Sequence, residues 1–269
     1  MNDRQAVYTH GHQDSVLRSH RSRTAANSAA YLLPELRAGQ ALLDVGCGPG
    51  TITVDLAELV GPTGRVVAVD RSAEVLAQAA GYAAGRGIGN VTFECADAYR
   101  LPYADGEFDV VHAHQVLQHV AEPVAVLREL RRVTAPGGVV AFRDADYAAM
   151  AWYPELPELA DWMALYQRVA RANGGEPNAG RRLAAWARAA GFDAVECSSS
   201  TWTYATAEQR AWWGESWADR VVGSDFAHGA SAFVGAGELA GIAAGWRRWA
   251  ADPDGWFAVL SGEVLARVR

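Results

Sequence analysis

The sequence contains no lysine; all 24 of its basic residues are arginine. We read that as compositional bias rather than chemistry. Cysteine is scarce as well. Cys47, Cys95 and Cys197 are odd in number, far apart and set in or after apolar stretches, which excludes a disulfide framework and a zinc-ligand spacing. No apolar run approaches ~18 residues, so no membrane span is expected. The polar start, Met1-Asn-Asp-Arg-Gln5, lacks the apolar stretch of a secretion signal. Positive charge is also in deficit: the formal net charge is −7, and nothing resembles a basic stripe for nucleic acid. These absences predict a soluble, cytoplasmic protein with no nucleic-acid surface and no membrane span.

What is present is organised around Ala41-Leu-Leu-Asp-Val-Gly-Cys-Gly-Pro-Gly50. An apolar run passes through Asp44 and Val45 into glycines at alternate positions, then into Thr51–Leu59, with Ile52, Leu56 and Leu59 at helical spacing. Strand, tight glycine turn and helix make the first βα unit of a doubly wound sheet, where ligands meet the carboxyl ends of strands. Further strands are expected at 65–70, 91–95, 106–112 and 139–142, alternating with helices, and this spacing means a parallel sheet. The helix over 122–134 is stopped by Pro136-Gly-Gly138. After Asp144 the pattern changes. Residues 193–204 and 256–268 read as closing strands, while 146–178 and 207–251 read as helical insertions rich in aromatic residues. The predicted fold is therefore α/β, a Rossmann-like, seven-stranded, mostly parallel sheet with helices on both faces and an inserted helical cap. One domain over 1–269 is expected, with residues 1–29 as an amino-terminal lid.

A glycine turn alone is shared by many nucleotide-binding proteins. Order and distance sharpen it here. Asp70 ends the second strand twenty residues after Gly50, placed to accept hydrogen bonds from both hydroxyls of a ribose. Asp97 ends the third strand, where an acid accepts a proton from an adenine amino group, with the Ala98 N–H beside it. Two details depart from the dinucleotide fingerprint. Thr51 stands where that pattern has a third glycine, and the carboxylate of Asp44 would repel a pyrophosphate but suits an ammonium or a sulfonium. S-adenosyl-L-methionine carries both cations and an adenosine. The alternatives left open are a nicotinamide-dependent oxidoreductase and a non-catalytic binding module.

Leu43-Asp-Val-Gly-Cys-Gly-Pro-Gly50, Val69-Asp-Arg-Ser72, Ala96-Asp-Ala98, Phe108-Asp-Val-Val111 and Pro136-Gly-Gly138 together resemble the successive motifs of class I S-adenosylmethionine-dependent methyltransferases. The nearest flavour is the small-molecule group that includes the ubiquinone/menaquinone-biosynthesis enzymes. The resemblance implies that Gly46 and Gly48, with Asp44, approach the methionine end. Asp70, followed by Arg71, would hold the ribose, and Asp97 with Ala98 the adenine. The backbone around His114 and Gln115 would lie against the methionine moiety. S-adenosyl-L-homocysteine is then the product. In such proteins the amino-terminal segment often completes the site, which makes Tyr8, His20 and Arg23 candidates for the cofactor carboxylate. Methyl transfer needs alignment more than a covalent nucleophile. If the acceptor must lose a proton, the candidate bases are His119 and Asp144, with His12 or His20 from the lid. Trp152, Tyr153, Trp162, Tyr166, Trp212, Trp213 and Trp217 either line an apolar or aromatic acceptor pocket or pack the cap.

Overall fold

The computed structural model describes residues 22–269; the calls on Tyr8, His12 and His20 lie outside them. Eight strands form one sheet: β1 (Ala41–Val45), β2 (Arg65–Asp70), β3 (Val91–Cys95), β4 (Phe108–His114), β5 (Thr134–Ala145), β6 (Ala151–Tyr153), β7 (Ala194–Tyr204) and β8 (Trp256–Arg267). Their order is 3-2-1-4-5-8, with β7 along the outer side of β8 and β6 paired to its first residues. The first five run parallel and β8 runs antiparallel between β5 and β7. The expected seven-stranded sheet is present, and β6 is an addition at the cap. Three residues are too short to show a strand period in sequence.

Burial follows from the connections. In β2, Val66 to Val69 are all buried, as both faces of a parallel sheet are covered by crossover helices. One face packs under α1 (Ala25–Ser28) and α2 (Thr51–Val60), with Leu42, Leu56, Val66, Val110 and Ala141 in that core. On β3's flank lies α3 (Ala73–Gly85), capped by Ser72 as expected. The opposite face carries α4 (Pro123–Val133) and α6 (Leu183–Ala189), which bury Val111, Phe142, Leu127 and Phe192. Thr24 caps α1 in a reciprocal box with Asn27, but the helix stops after one turn and a 3-10 turn at Leu33–Glu35 follows.

Two boundaries differ from expectation, and both bear on the site. β4 runs to His114, two residues beyond the expected end, so His114 is a strand residue. β5 begins at Thr134 and continues to Ala145, passing straight through Pro136-Gly-Gly138 with a register shift against β4. Arg143 and Asp144 are consecutive strand residues and point to opposite faces of the sheet.

The insertions form a second core. The region 146–178 holds a short turn, β6 and α5 (Pro157–Ala172); 207–251 holds α7 (Ala207–Gly223), α8 (Asp225–Ala230) and α9 (Ala236–Ala251). Trp162, Trp217, Trp246, Trp249 and Phe257 are fully or almost fully buried together. Trp162 meets Trp217 and Trp246 edge-on, at centroid separations of 4.6 and 4.9 Å. Such pairs contribute about 0.5–1.5 kcal/mol beyond area burial. Phe257 and Val259 of β8 belong to this cluster, which fastens the helical layer to the sheet. Of the seven aromatics read as possible pocket lining, Trp162, Tyr166, Trp213 and Trp217 are buried in the cap's own core, and Tyr153 is largely exposed. Packing, not ligand contact, accounts for most of them.

Candidate active site

At the carboxyl ends of β1, β2, β3 and β4 the loops enclose a cavity of about 430 Å³. Its shape begins with the turn after β1. Gly46, Gly48 and Gly50 adopt φ of 71°, 53° and 78°, the region only glycine enters freely. A side chain on Gly46 would meet Val116 at 2.5 Å, whereas one on Gly48 would enter open space in the cavity. Gly46 is thus packed close against Val116 while Gly48 is open, and the backbone of both lines the cavity. α2 then starts on Gly50 without a capping side chain, an arrangement that suits a ligand's polar end.

Asp70 is held by the turn it serves. Its Oδ2 accepts from the Gly48 N–H and its Oδ1 from the Ser72 N–H, both at 3.1 Å. Asp97 accepts from the Tyr99 N–H at 3.1 Å. Both carboxylates line the cavity, with Arg71 and Ala98 beside them. A carboxylate has room for about four hydrogen bonds, so each retains capacity for a ribose or an adenine. Two carboxylates with bare backbone between them thus line this end of the cavity.

The other end of the cavity holds Arg23, Asp44, His112, His114, Gln115 and His119. Asp44 is almost fully buried and paired: His112 Nδ1–H donates to its Oδ1 (2.8 Å) and the Thr53 hydroxyl to its Oδ2 (2.5 Å). Asp44 lines the cavity, as a residue expected near a cationic ligand must, and its two fixed partners were not foreseen. Gln115 has φ of 55°, unusual for a residue with a side chain, and its N–H donates to the Arg143 carbonyl (2.7 Å). Its Oε1 accepts from Arg23 Nη2 (2.8 Å), which ties the amino-terminal segment to the end of β4.

The two base candidates fare differently from expectation. Burial, with the Arg23 charge adding to it, pushes His119 down to about 3. So weak a base takes little share of a proton at neutral pH. Asp144 does not line the cavity. It is fully buried on the other face, accepting from the Gln118 N–H (3.0 Å) and from the Leu117 N–H, and so holds the turn after β4. Burial raises its pKa to about 7 against those two hydrogen bonds. Burial also pushes the Cys47 thiol up, which leaves it unreactive. No group of His, Cys, Asp and Glu among the described residues is arranged to hold a metal ion.

Sequence reading missed His112, Thr53, Arg143 and Trp202. The alternation of His112 and His114 on one strand was a usable signal, since period two puts both imidazoles on one face. Arg143 and Trp202 carried none: they meet through strand pairing across β5, β8 and β7.

Comparison with known proteins agrees with this geometry. Residues 36–209 match a family described as "Methyltransferase domain". The chain is similar to the uncharacterized methyltransferase C1B3.06c of Schizosaccharomyces pombe, 35% identical over 97% of this chain and 96% of that one. The ubiquinone/menaquinone biosynthesis C-methyltransferase UbiE of Bdellovibrio bacteriovorus is 42% identical over 39% of this chain and 43% of its own. Among solved structures, phosphoethanolamine N-methyltransferase 2 of Haemonchus contortus, with S-adenosylhomocysteine bound, superposes with a TM-score of 0.59. That match has 17% identity and covers 95% of this chain and 57% of the other, a likeness of fold. No helix among the described residues is long and apolar enough to cross a membrane. With the ordered motifs and the family match over more than half its length, the chain belongs to the class I S-adenosylmethionine-dependent methyltransferases and takes S-adenosyl-L-methionine as its cofactor.

Proposed function

We propose that the protein methylates a small, apolar or aromatic molecule, which enters beside Trp202 and His114 at the end of the cavity remote from Asp70 and Asp97. The observation that carries this reading is the lining at that end, Arg23, His114, Gln115, Val116 and Val120, behind which the Trp202 ring packs. The Trp202 ring lies 5.8 Å from His114, and the guanidinium carbons of Arg143 and Arg23 lie 4.5 and 5.5 Å from its centre. Val116, Val120 and the His114 ring on that lining favour an apolar or flat partner. The formal charge of −7 and lack of a basic stripe speak for a small acceptor rather than a nucleic acid.

The cofactor supplies a methyl group on positive sulfur, open to in-line displacement. The chain's part is to bind, align and exclude water. In this reading Asp70 takes the ribose hydroxyls and Asp97 with Ala98 the adenine edge. Gly46 and Gly48 let the backbone approach the methionine end, and Asp44 sets negative charge beside it. Arg23 takes the carboxylate, while the fixed Gln115 turn sets the direction of approach. Orientation of this kind lowers a barrier by up to ~7–11 kcal/mol. The buried Asp44 holds His112 in one orientation, with Nε2 left without a hydrogen bond among the described residues. That nitrogen is better placed than His119 to take an acceptor proton.

Calorimetry tests the cofactor assignment. S-adenosylhomocysteine should bind and NADH should not; the reverse result would overturn the reading. Transfer of label from methyl-labelled cofactor to a panel of phenols, amines and thiols then tests the acceptor class. Product confined to RNA or protein substrates would refute it.

A further inference from the structure

Gln115 combines two features that a residue kept only for packing rarely shows together. Its φ of 55° lies in the left-handed region, where a side chain is disfavoured and glycine or asparagine is the usual occupant. A tertiary contact holds it there: its N–H donates to the Arg143 carbonyl (2.7 Å), just past the last pairing of β4 with β5. Backbone kept in a disfavoured region clusters at ligand sites, where it aims a side chain.

The side-chain amide is fixed as well. Its Oε1 accepts from Arg23 Nη2 at 2.8 Å. A guanidinium has no acceptor, so this bond settles which way the amide lies: the oxygen faces Arg23 and cannot change places with the nitrogen. The Nε2 group, with two N–H donors, makes no hydrogen bond among the described residues. Gln115 and Arg23 both line the cavity, next to His114, Val116 and Val120. Beside two apolar side chains, this end of the site therefore offers a ligand an amide N–H and withholds the amide oxygen.

We propose that the Nε2 amide of Gln115 donates to an oxygen of the methyl acceptor, and so selects ring compounds that carry a carbonyl or hydroxyl over those that carry an ammonium. This rests on the acceptor reading above and adds the polar group of the acceptor to it. A carbonyl or hydroxyl oxygen has lone pairs with which to accept. An ammonium has only N–H groups to give, and would set donor against donor beside the Arg23 charge. The oxygen held in this way is one next to the methylated atom, because donation to the attacking atom itself would tie up its lone pair. No bond is made or broken at Gln115, which is a specificity-determining residue.

The test uses the whole protein saturated with S-adenosylhomocysteine. Benzyl alcohol and 1-naphthylmethanol are titrated by calorimetry at neutral pH into the wild type and into Gln115→Glu. Each is paired with its ammonium counterpart, benzylamine or 1-naphthylmethylamine. Glutamate keeps the side-chain length and an oxygen for Arg23, and replaces only the N–H donors by a second oxygen. At least one alcohol is expected to bind the wild type about tenfold or more tightly than its ammonium counterpart. In Gln115→Glu that ratio should fall about tenfold or more, and a reversal in favour of the ammonium is a change that lost packing cannot produce. Gln115→Asn suits the φ but draws the amide back by one methylene; it should lose most of the preference, and serves if the glutamate variant does not fold. Alcohols that bind no better than the ammonium compounds, or a ratio unchanged in the variants, would overturn the proposal and leave the acceptor reading standing. Failure of every ring compound to bind, with S-adenosylhomocysteine in place, would sink that reading and the proposal together. Absence of binding by S-adenosylhomocysteine itself would instead sink the cofactor site.

Discussion

Replacing Asp144 with asparagine should stabilise the protein at pH 8 and do little at pH 4. The carboxyl is fully buried, and its Oδ2 has no hydrogen-bond partner among the described residues. Burial raises its pKa from 3.8 to about 7. A raised carboxyl pKa means that the folded state prefers the proton more than the unfolded chain does. The contribution is therefore fully present below about 4 and is lost as the pH rises through about 7. Three units at 1.36 kcal/mol each set an upper figure of about 4 kcal/mol for the cost of charging it inside the fold. Asparagine keeps an acceptor for the Gln118 and Leu117 N–H groups and carries no charge at any pH. Urea unfolding of both proteins at intervals from pH 4 to pH 8 isolates the effect, since all other titrations cancel in the difference. The variant should gain on the wild type steadily across that window, to a few kcal/mol at the top. A difference that stays flat with pH, or a wild type that is the more stable at pH 8, would refute the assignment of the shift to burial.

Asp70→Ala should weaken S-adenosylhomocysteine binding about ten- to a hundredfold, roughly 1.5–3 kcal/mol, with the fold retained; calorimetry reads it, and unchanged affinity would remove Asp70 from the ribose. Gly48→Ala should cost only about 1 kcal/mol of stability, because its φ is 53° but its new methyl meets nothing. Its affinity for S-adenosylhomocysteine should fall much further, and a variant that binds normally would show that the ligand does not approach this backbone. Trp162→Ala should destabilise the protein by about 3–5 kcal/mol, since the side chain is fully buried among six aromatic neighbours, Tyr147, Trp152, Tyr166, Trp217, Trp246 and Phe257. Denaturant unfolding checks that value. A loss below about 1 kcal/mol would mean that the aromatic cluster is not the cap's core.

The sequence by itself determined the first half of the fold and the residues that line the cavity at the ends of β1 to β3. Gly46, Gly48, Asp70 and Asp97 are legible because each occupies a fixed place in a βα unit: the turn after a strand, or its last residue. Local backbone geometry sets those places, and spacing along the chain reports it. Tertiary structure alone decided the arrangement at the other end of the cavity. Whether Arg143 or Asp144 shares the sheet face of His114 depends on where β5 starts and on a pleat of period two, so a shift of one residue exchanges them. The Asp44–His112 and Arg143–Glu263 pairs join residues 68 and 120 positions apart through strand register, which no local pattern encodes. The cap's tryptophans show the same division. Their helical spacing announced an apolar face, but only packing against one another and against Phe257 fixed that face as core rather than pocket.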